Sequence, residues 1–276
     1  KLIAGLLDKT IVLHGDVLDT DLLEEANVGS TETVVALTND DETNILASLL
    51  AKRHGSQRAI TLINKSTYEP LINSLGIDVV VHIAARAHIM IDTVLDPLLE
   101  FRKMNVEVTR NLAYQASQAG VKRFVFISSI KVNGEATAKG SCFTPDDTHV
   151  TLDSYGISKR EAELALREIA QETGMEVVII RPPLVYGPGV KANFRSLMIW
   201  IKRGVPLPLG AVHNKRSFVA LDNLVGFIIL CTEHPKAANQ TFLIADGEDV
   251  STTTLLKKIA HAFGKRAVLI SIPVIA

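Results

Sequence analysis

The stretch Arg123-Phe-Val-Phe-Ile-Ser-Ser-Ile-Lys-Val-Asn-Gly134 combines an apolar strand pattern with a polar end. Its aromatic and β-branched run is typical of a strand in a parallel sheet that is covered on both faces. Two serines follow the run directly. The pattern therefore predicts a buried strand that presents Ser129 at its carboxyl end.

Further apolar runs on both sides of this strand alternate with helical patterns. We predict strands at residues 10–14, 33–38, 59–63, 78–83 and 176–181, and helices at residues 42–54, 106–119, 193–203 and 252–263. Near-continuous β-branched runs separated by amphipathic helices indicate a parallel sheet with helices on both faces. The sequence thus predicts an α/β protein built on a doubly wound, Rossmann-like sheet.

The run Asp153-Ser-Tyr-Gly-Ile-Ser-Lys-Arg160 opens a predicted helix over residues 155–172. Tyr155 and Lys159 lie four residues apart, so both side chains share one helix face. A free phenol has a pKa of roughly 10, and a neighbouring ammonium favours the phenolate. Together with the Ser129 hydroxyl, these groups suit proton transfer during carbinol–carbonyl interconversion. The alternative is a solvated lysine on a surface helix, because this spacing alone is common.

Composition excludes several classes of function. The formal net charge is −1, which gives no sign of affinity for nucleic acid or membrane. Cys142 and Cys231 have no second pair of cysteines with which to form a disulfide or metal framework. No apolar run reaches the roughly 18 residues of a membrane span. His82 and His88 lack a third ligand at a metal-binding spacing, so we expect no metal. With no signal peptide at its start, the chain is expected to be a cytoplasmic protein.

Six motifs occur in order over most of the chain, from about residue 78 to 274. They are Asp78-Val-Val-Val-His-Ile-Ala-Ala85, Asn105-Val-Glu-Val-Thr-Arg-Asn-Leu112, the Ser128-Ser129 strand end, Tyr155-Gly-Ile-Ser-Lys159, Arg181-Pro-Pro-Leu-Val-Tyr-Gly-Pro-Gly189 and Arg216-Ser-Phe-Val-Ala-Leu-Asp-Asn223. This part of the chain resembles the extended short-chain dehydrogenase/reductases, and specifically the NAD-dependent epimerase/dehydratase family that acts on nucleotide sugars. The resemblance implies NAD as cofactor, with NADP as a further possibility, and a UDP-sugar as substrate.

The resemblance also assigns roles to individual residues. It implies that Ser129, Tyr155 and Lys159 are catalytic. It implies cofactor contacts from Asp16, Ala84, Ala85, Asn105, Ser128, Lys159 and Pro182. It implies substrate contacts from Lys131, Asn193 and Arg216. The region after about residue 187 would form a smaller C-terminal substrate-binding lobe. Family members often carry Asn where Leu184 stands, which leaves the substrate contacts at that turn open.

Simpler interpretations stand beside four of these roles. Asn105 would brace the backbone near Lys159, or it would cap the helix predicted to begin at residue 106. Lys131 would reach a phosphate or face solvent. Arg216 would bind the nucleotide diphosphate through its fixed fork of donors, or form a surface ion pair. Small residues at Ala84 and its neighbour allow close cofactor approach, or reflect helix packing.

The first part of the chain lacks the glycine-rich phosphate turn of the family. Residues 11–81 instead resemble the RCK nucleotide-binding domains of Trk-type potassium-uptake regulators, through Val12-Leu-His-Gly-Asp16 and Val35-Ala-Leu-Thr-Asn-Asp-Asp-Glu-Thr-Asn-Ile45. Asp16 matches an adenine contact in both families, and the alternative is a cap on the helix that begins near residue 19. Asn39 or Asp40 is expected to cap the next helix.

These resemblances predict a fusion that is truncated at its carboxyl end, with a partial RCK-like segment (1–81), an NAD-binding catalytic body (82–186) and a substrate lobe (187–276). The implied function is a UDP-hexose or UDP-N-acetylhexosamine 4-epimerase or 4-keto reductase, since Tyr, Lys and Ser serve both reactions. The sequence does not distinguish a dehydratase from these two enzymes. The alternatives are a ligand-sensing regulator of potassium uptake and an inactive fusion fragment. A homodimer is possible.

Overall fold

The computed structural model describes residues 13–62, 77–87, 96–147, 153–190 and 192–272, without the side chains of Ala192 and Asn193. The strands are β1 Thr33–Ala36, β2 Arg58–Leu62, β3 Val79–His82, β4 Arg123–Ile127, β5 Glu176–Arg181, β6 Leu184–Tyr186, β7 Phe218–Ala220 and β8 Thr241–Leu243. Within the described ranges, six of them form a parallel sheet in the order β1-β2-β3-β4-β5-β8, and β6 pairs with β7 in a second, parallel ladder.

The helices are α1 Thr20–Glu25, α2 Asp41–Arg53, α3 Pro97–Arg102, α4 Val108–Gln118, α5 Ser154–Thr173, α6 Ala192–Arg203, α7 Leu221–Glu233 and α8 Thr252–Ala262. The longest, α5, begins where the Asp153 carboxylate accepts a hydrogen bond from the Gly156 amide. It ends at Gly174, whose φ of 75° is the left-handed conformation that glycine adopts without a Cβ clash.

Helices cover both faces of the main sheet. On one face, α2, α4 and α5 pack against alternate strand residues such as Val80, Phe124 and Ile179. On the other face, α7 packs against Val125 and Val178 with its neighbours. The alternation follows from the period of two along a strand, which points successive side chains to opposite faces. The predicted Rossmann-like α/β fold is therefore confirmed.

The expected continuation of the sheet into the first part of the chain is confirmed for two strands. β1 pairs with β2 and β2 pairs with β3, with Val35 opposite Ile60 and Ile60 opposite Val79. The strand predicted at residues 10–14 falls mostly outside the described residues. Leu13 and His14, which are described, are not part of a strand.

Beyond β5, the helices α6 and α8 pack on each other around a separate apolar cluster that includes Ile201, Leu207 and Leu256. An antiparallel bridge joins Arg216 to Val250 at the base of this region. The helices predicted at 193–203 and 252–263 are confirmed to within one residue at each end. No helix among the described residues is long and apolar enough to cross a membrane.

The helix predicted at residues 106–119 begins earlier than expected. Asp96 caps α3 through the Leu99 amide, and Pro97 occupies its first turn, where a missing N–H costs nothing. A π-helical stretch, Lys103–Glu107, then joins α3 to α4. Asn105 consequently lies inside a continuous helical segment, and its predicted alternative role as an N-cap is wrong.

Candidate active site

The three predicted catalytic side chains converge beyond the carboxyl end of β4. Ser129 begins a single 3-10 turn over Ile130–Val132, and its side chain is hydrogen-bonded to the Tyr155 phenol. Lys159 lies one turn along α5 from Tyr155, with 1% of its surface exposed. Its Nζ donates to the Ile127 carbonyl oxygen at 2.8 Å.

Burial dominates the electrostatics of these groups. It lowers the pKa of Lys159 to about 7, an effect that the nearby Glu163 carboxylate partly offsets. It raises the pKa of Tyr155 above its ordinary value, which the Ser129 hydrogen bond opposes and Asp153 reinforces. In the free chain the lysine ammonium is bonded to a main-chain carbonyl, and burial outweighs the Ser129 bond in setting the pKa of Tyr155.

Buried aromatic side chains pack beneath Lys159. Its Nζ lies 4.3 Å from the centroid of the Phe126 ring, within the range of a cation–π contact. His82 stacks on the same ring at 5.8 Å and is bonded to Thr109 through Nε2. Burial, and then the Lys159 charge, lower the pKa of His82 to about 3, so this imidazole is neutral beneath the lysine.

Asn105 joins the segment after β3 to helix α5. Its Oδ1 accepts from the Arg86 amide at 2.8 Å, and its Nδ2 donates to the Arg86 carbonyl and to the Ser158 hydroxyl at 2.9 Å. Ser158 in turn donates to the Tyr155 carbonyl. The π-helical turn that carries Asn105 aims this side chain at both segments. The geometry matches the predicted brace beside Lys159.

Three further residues with a predicted cofactor role lie at the same edge of the sheet. Ala84 is half-buried and Ala85 is exposed, directly after β3. Pro182 is buried after β5, and its carbonyl accepts from the Ile130 amide at 3.0 Å. The structure thus places these residues at the ends of the two strands that flank β4, which bears the serine turn.

A buried polar network lies behind the serine pair and was missed by sequence reasoning. Ser128 donates to Glu163 Oε1 at 2.5 Å, so its hydroxyl is directed inward. Glu163 pairs with Arg181 through both carboxylate oxygens. Arg181 Nη1 donates to Asn133 and to the Pro145 carbonyl. A sequence signal for Glu163 was present, because this residue follows Lys159 by four positions and therefore shares its helix face.

The other predicted residues lie at the periphery. The Asp16 carboxylate accepts the Leu18 amide in an exposed turn, and Asp19, not Asp16, caps α1. Lys131 forms an ion pair with Glu135. Arg216 is exposed, and no ion pair within the described ranges includes its guanidinium, so the ion-pair alternative is not observed. The side chain of Asn193 lies outside the described part of the chain.

The described residues bear on only one end of a dinucleotide groove. The nicotinamide end suits the donor set of Tyr155, Ser129 and Lys159. The loop after β1 is closed by Asp40, whose carboxylate accepts from the Thr43 amide at 2.8 Å and occupies the start of α2. β2 is the strand next to β3, and the loop that follows it begins at residue 63, outside the described residues.

Comparisons with known proteins agree with this geometry. Residues 19–245 match the NAD dependent epimerase/dehydratase family. The chain is 53% identical over 215 residues to a UDP-glucose 4-epimerase of Vibrio cholerae, over 77% of this chain and 65% of the relative, so it spans less than two thirds of that protein's length. It is 48% identical over 80 residues to the potassium uptake protein TrkA of Azorhizobium caulinodans, over 29% of this chain and 18% of that protein. The fold matches a UDP-N-acetylglucosamine 4-epimerase from Bacillus cereus at a TM-score of 0.66, with 21% identity over 87% of this chain and 84% of that one.

Proposed function

The chain belongs to the NAD dependent epimerase/dehydratase family, and we propose that it is the catalytic part of an NAD-dependent 4-epimerase acting on UDP-hexoses or UDP-N-acetylhexosamines. The observation that carries the proposal is the meeting of Ser129, Tyr155 and buried Lys159 at one strand end. The identity to a UDP-glucose 4-epimerase over most of this chain supports the choice of reaction and substrate.

In this proposal each side chain has one task. Tyr155 exchanges the proton of the sugar 4-hydroxyl, receiving it when the alcohol is oxidised and returning it when the ketone is reduced. Ser129 binds the same sugar oxygen and orients it toward the phenol. Lys159, protonated below a pH of about 7, places positive charge beside the site and favours the oxyanion that forms on proton loss. Bound NAD supplies the acceptor, and then the donor, of the C4 hydride.

Burial explains why the acid form of Tyr155 is stable in the free chain, because it raises the pKa of the phenol more than the Ser129 hydrogen bond lowers it. Its raised pKa keeps the phenol protonated near neutral pH. The proton is thus available for the reduction of a 4-keto sugar. Epimerisation requires that the 4-keto sugar rotates in the site before this reduction. Hydride then returns to the opposite face of C4. A 4-keto reductase would use the same residues and stop after one transfer.

The setting of the proposed enzyme is the cytoplasm. Both cysteines are free thiols, Cys142 exposed and Cys231 buried, as is usual in a reducing compartment. The proposal includes a homodimer through the surface of α4 and α5, where Tyr114 and Leu164 are each about half exposed. Sedimentation velocity of the wild type and Leu164→Asp tests it, because a charge at that contact should favour the monomer.

The decisive test of the function is substitution of the phenol. With millimolar NAD and UDP-glucose or UDP-N-acetylglucosamine, Tyr155→Phe should lower turnover by about 10²–10⁴-fold, the usual cost of losing a general acid–base group. Ser129→Ala should lower it less, because proton transfer itself remains possible. Tyr114→Phe, at an exposed position on α4, is the matched control. Equal turnover of the wild type and Tyr155→Phe contradicts the assignment.

The similarity to TrkA favours a second role for the first part of the chain, as a nucleotide-sensing module. In this role the chain would bind a nucleotide without turning over a sugar. Denaturation of the purified protein, followed by mass analysis of released nucleotides, separates the two roles. NAD or NADP with UDP-sugar turnover supports the epimerase, whereas a nucleotide without turnover supports the sensor.

A further inference from the structure

The buried network behind the active site links four separate parts of the chain. Glu163 of α5 accepts two bonds from Arg181 of β5, at 2.9 Å to Oε1 and 2.5 Å to Oε2. Ser128 at the end of β4 donates to Oε1. Arg181 reaches Asn133 at 3.0 Å. All four side chains are buried, with 5% or less of their surface exposed.

This network also holds an exposed loop. We call residues 135–147 the substrate-side loop, because it leads from the serine turn toward the start of α5. Arg181 Nη1 donates to the Pro145 carbonyl at 3.1 Å, and Asn133 Nδ2 donates to the Thr144 carbonyl at 2.6 Å. Most of the loop is exposed to solvent. Its described attachment to the protein interior therefore runs through the network.

Stability alone does not explain an ion pair in this place. Removing two charges from water costs free energy, and apolar residues of similar volume are often as stabilising or more so. A buried pair does fix geometry, because its partners satisfy each other only in one arrangement. Here the pair joins α5, which bears Tyr155 and Lys159, to β5, and Ser128 and Asn133 join it to the segment that bears Ser129.

Each end of the network lies next to a catalytic group. Glu163 shares the helix face of Tyr155 and Lys159, at successive steps of four residues. Ser128 directly precedes Ser129. We propose that the Glu163–Arg181 pair is a positioning unit, which fixes the serine turn and the substrate-side loop relative to Tyr155 and Lys159. Its kinetic consequence rests on the proposed function, whereas its effect on the loop does not.

A matched ion pair at the opposite end of the same two strands supplies the control. Arg123 of β4 pairs with Glu176 of β5 at 2.6 Å, and the arginine is buried. Both pairs join Glu to a buried Arg, but the second lies at the amino ends of the strands, away from the serine turn. Glu163→Gln and Glu176→Gln therefore remove the same charge in two places.

The experiment measures amide hydrogen exchange over residues 134–147 by mass spectrometry, together with kcat and KM. Glu163→Gln should raise exchange in the substrate-side loop by about tenfold or more, because Arg181, which holds the Pro145 carbonyl, loses the carboxylate that fixes it. It should lower kcat by roughly 10²-fold, the cost of a misplacement of about 1 Å, with KM changed much less. Glu176→Gln should leave loop exchange and kcat within about twofold of wild type.

Asn133→Ala covers the case in which Glu163→Gln does not fold. This variant keeps the ion pair and removes the two side-chain bonds of Asn133, to the Thr144 carbonyl and to Arg181, so faster exchange at the end of the loop is expected. Loop exchange equal to wild type in Glu163→Gln or in Asn133→Ala overturns the proposal. The same change in Glu176→Gln overturns it also. A wild type without turnover contradicts the proposed function alone, since loop exchange is measured without substrate.

Discussion

Lys159 illustrates how one buried charge sets both stability and chemistry. Its ammonium lies over the Phe126 ring and is bonded to the Ile127 carbonyl. Its pKa falls to about 7 because burial disfavours the charged form. The unfolded chain, in which this lysine has its ordinary pKa, binds the proton more tightly. Burial of the charged Lys159 therefore reduces the free energy of unfolding below pH 7, where this lysine is protonated in both the folded and the unfolded state.

That cost predicts a pH-dependent gain from Lys159→Met. Between pH 7 and about 10 the unfolded state binds more protons, so the wild type recovers stability as pH rises. The variant should unfold at a higher temperature than wild type at pH 6, by an amount equivalent to a few kcal/mol at about 1.4 kcal/mol per pKa unit. This advantage should shrink toward pH 10. Thermal unfolding at each pH measures it.

Lys257→Met, on the exposed surface of α8, is the control and should show no such trend. A constant difference between Lys159→Met and wild type across this pH range would contradict the burial argument.

Individual site residues could be predicted from sequence where a short pattern fixes their position. Tyr155, Lys159 and Ser129 follow from one helix spacing and one strand end. The partners of Arg181 and Asn133 could not, because they are joined across 18 to 48 positions of sequence and depend on tertiary packing. The alternative role of Asp16 as a helix cap is wrong for a local reason, since Asp19 lies at the capping position.

Helix α5 is the element that connects the site to the core. The same buried face carries Tyr155, Lys159 and Glu163 in the first half of the helix and Leu166 and Ile169 in the second half. The Asp153 cap fixes where the helix begins, and therefore which face meets the sheet. A change in core packing under α5 is thus expected to reach the catalytic residues.

Two leucines on α5 give a test of that packing. Leu166 is fully buried, whereas Leu164 is 52% exposed. Leu166→Ala should reduce the free energy of unfolding by about 2–5 kcal/mol, through lost burial and the cavity left behind. At protein concentrations where sedimentation shows only monomer, Leu164→Ala should change it by about 0.5 kcal/mol or less. Urea unfolding measures both, and equal losses would show that α5 does not pack as described.

The elements themselves were largely predictable, because hydrophobic periodicity fixes their type. The exception is the region before α4, where Pro97 and the π-helical turn extend the helix upstream. Sequence reasoning took Asn105 as a boundary because asparagine favours caps. In the folded chain its amide is satisfied by Arg86 and Ser158, which lie far away in sequence.

At the scale of the whole molecule, the fit to a dinucleotide is uneven. Ser129, Tyr155 and Lys159 meet at the end proposed for the nicotinamide, but the start of α2 is already occupied by the Asp40 carboxylate. A pyrophosphate needs free amides at a helix start, and a nearby carboxylate repels it. We predict that the chain binds NAD more weakly than micromolar. Calorimetry tests this, and micromolar or tighter binding would contradict it.

Asp40→Ser keeps a capping oxygen and removes the charge, so this variant should bind NAD several-fold more tightly than wild type. Glu42→Gln, which removes a charge one position into α2, controls for the general effect of lower negative charge.

The order of the main sheet has a consequence for how the chain acquires its structure. From β1 to β5, every described strand pairs with the one that precedes it in sequence. A chain emerging from the ribosome can therefore add each strand to a sheet that already exists, without waiting for a later segment to occupy the centre. Domains form during synthesis from the amino end at about 5–20 residues per second. Such a sheet would grow outward in one direction, and the serine turn after β4 would form only after β1, β2 and β3 had formed.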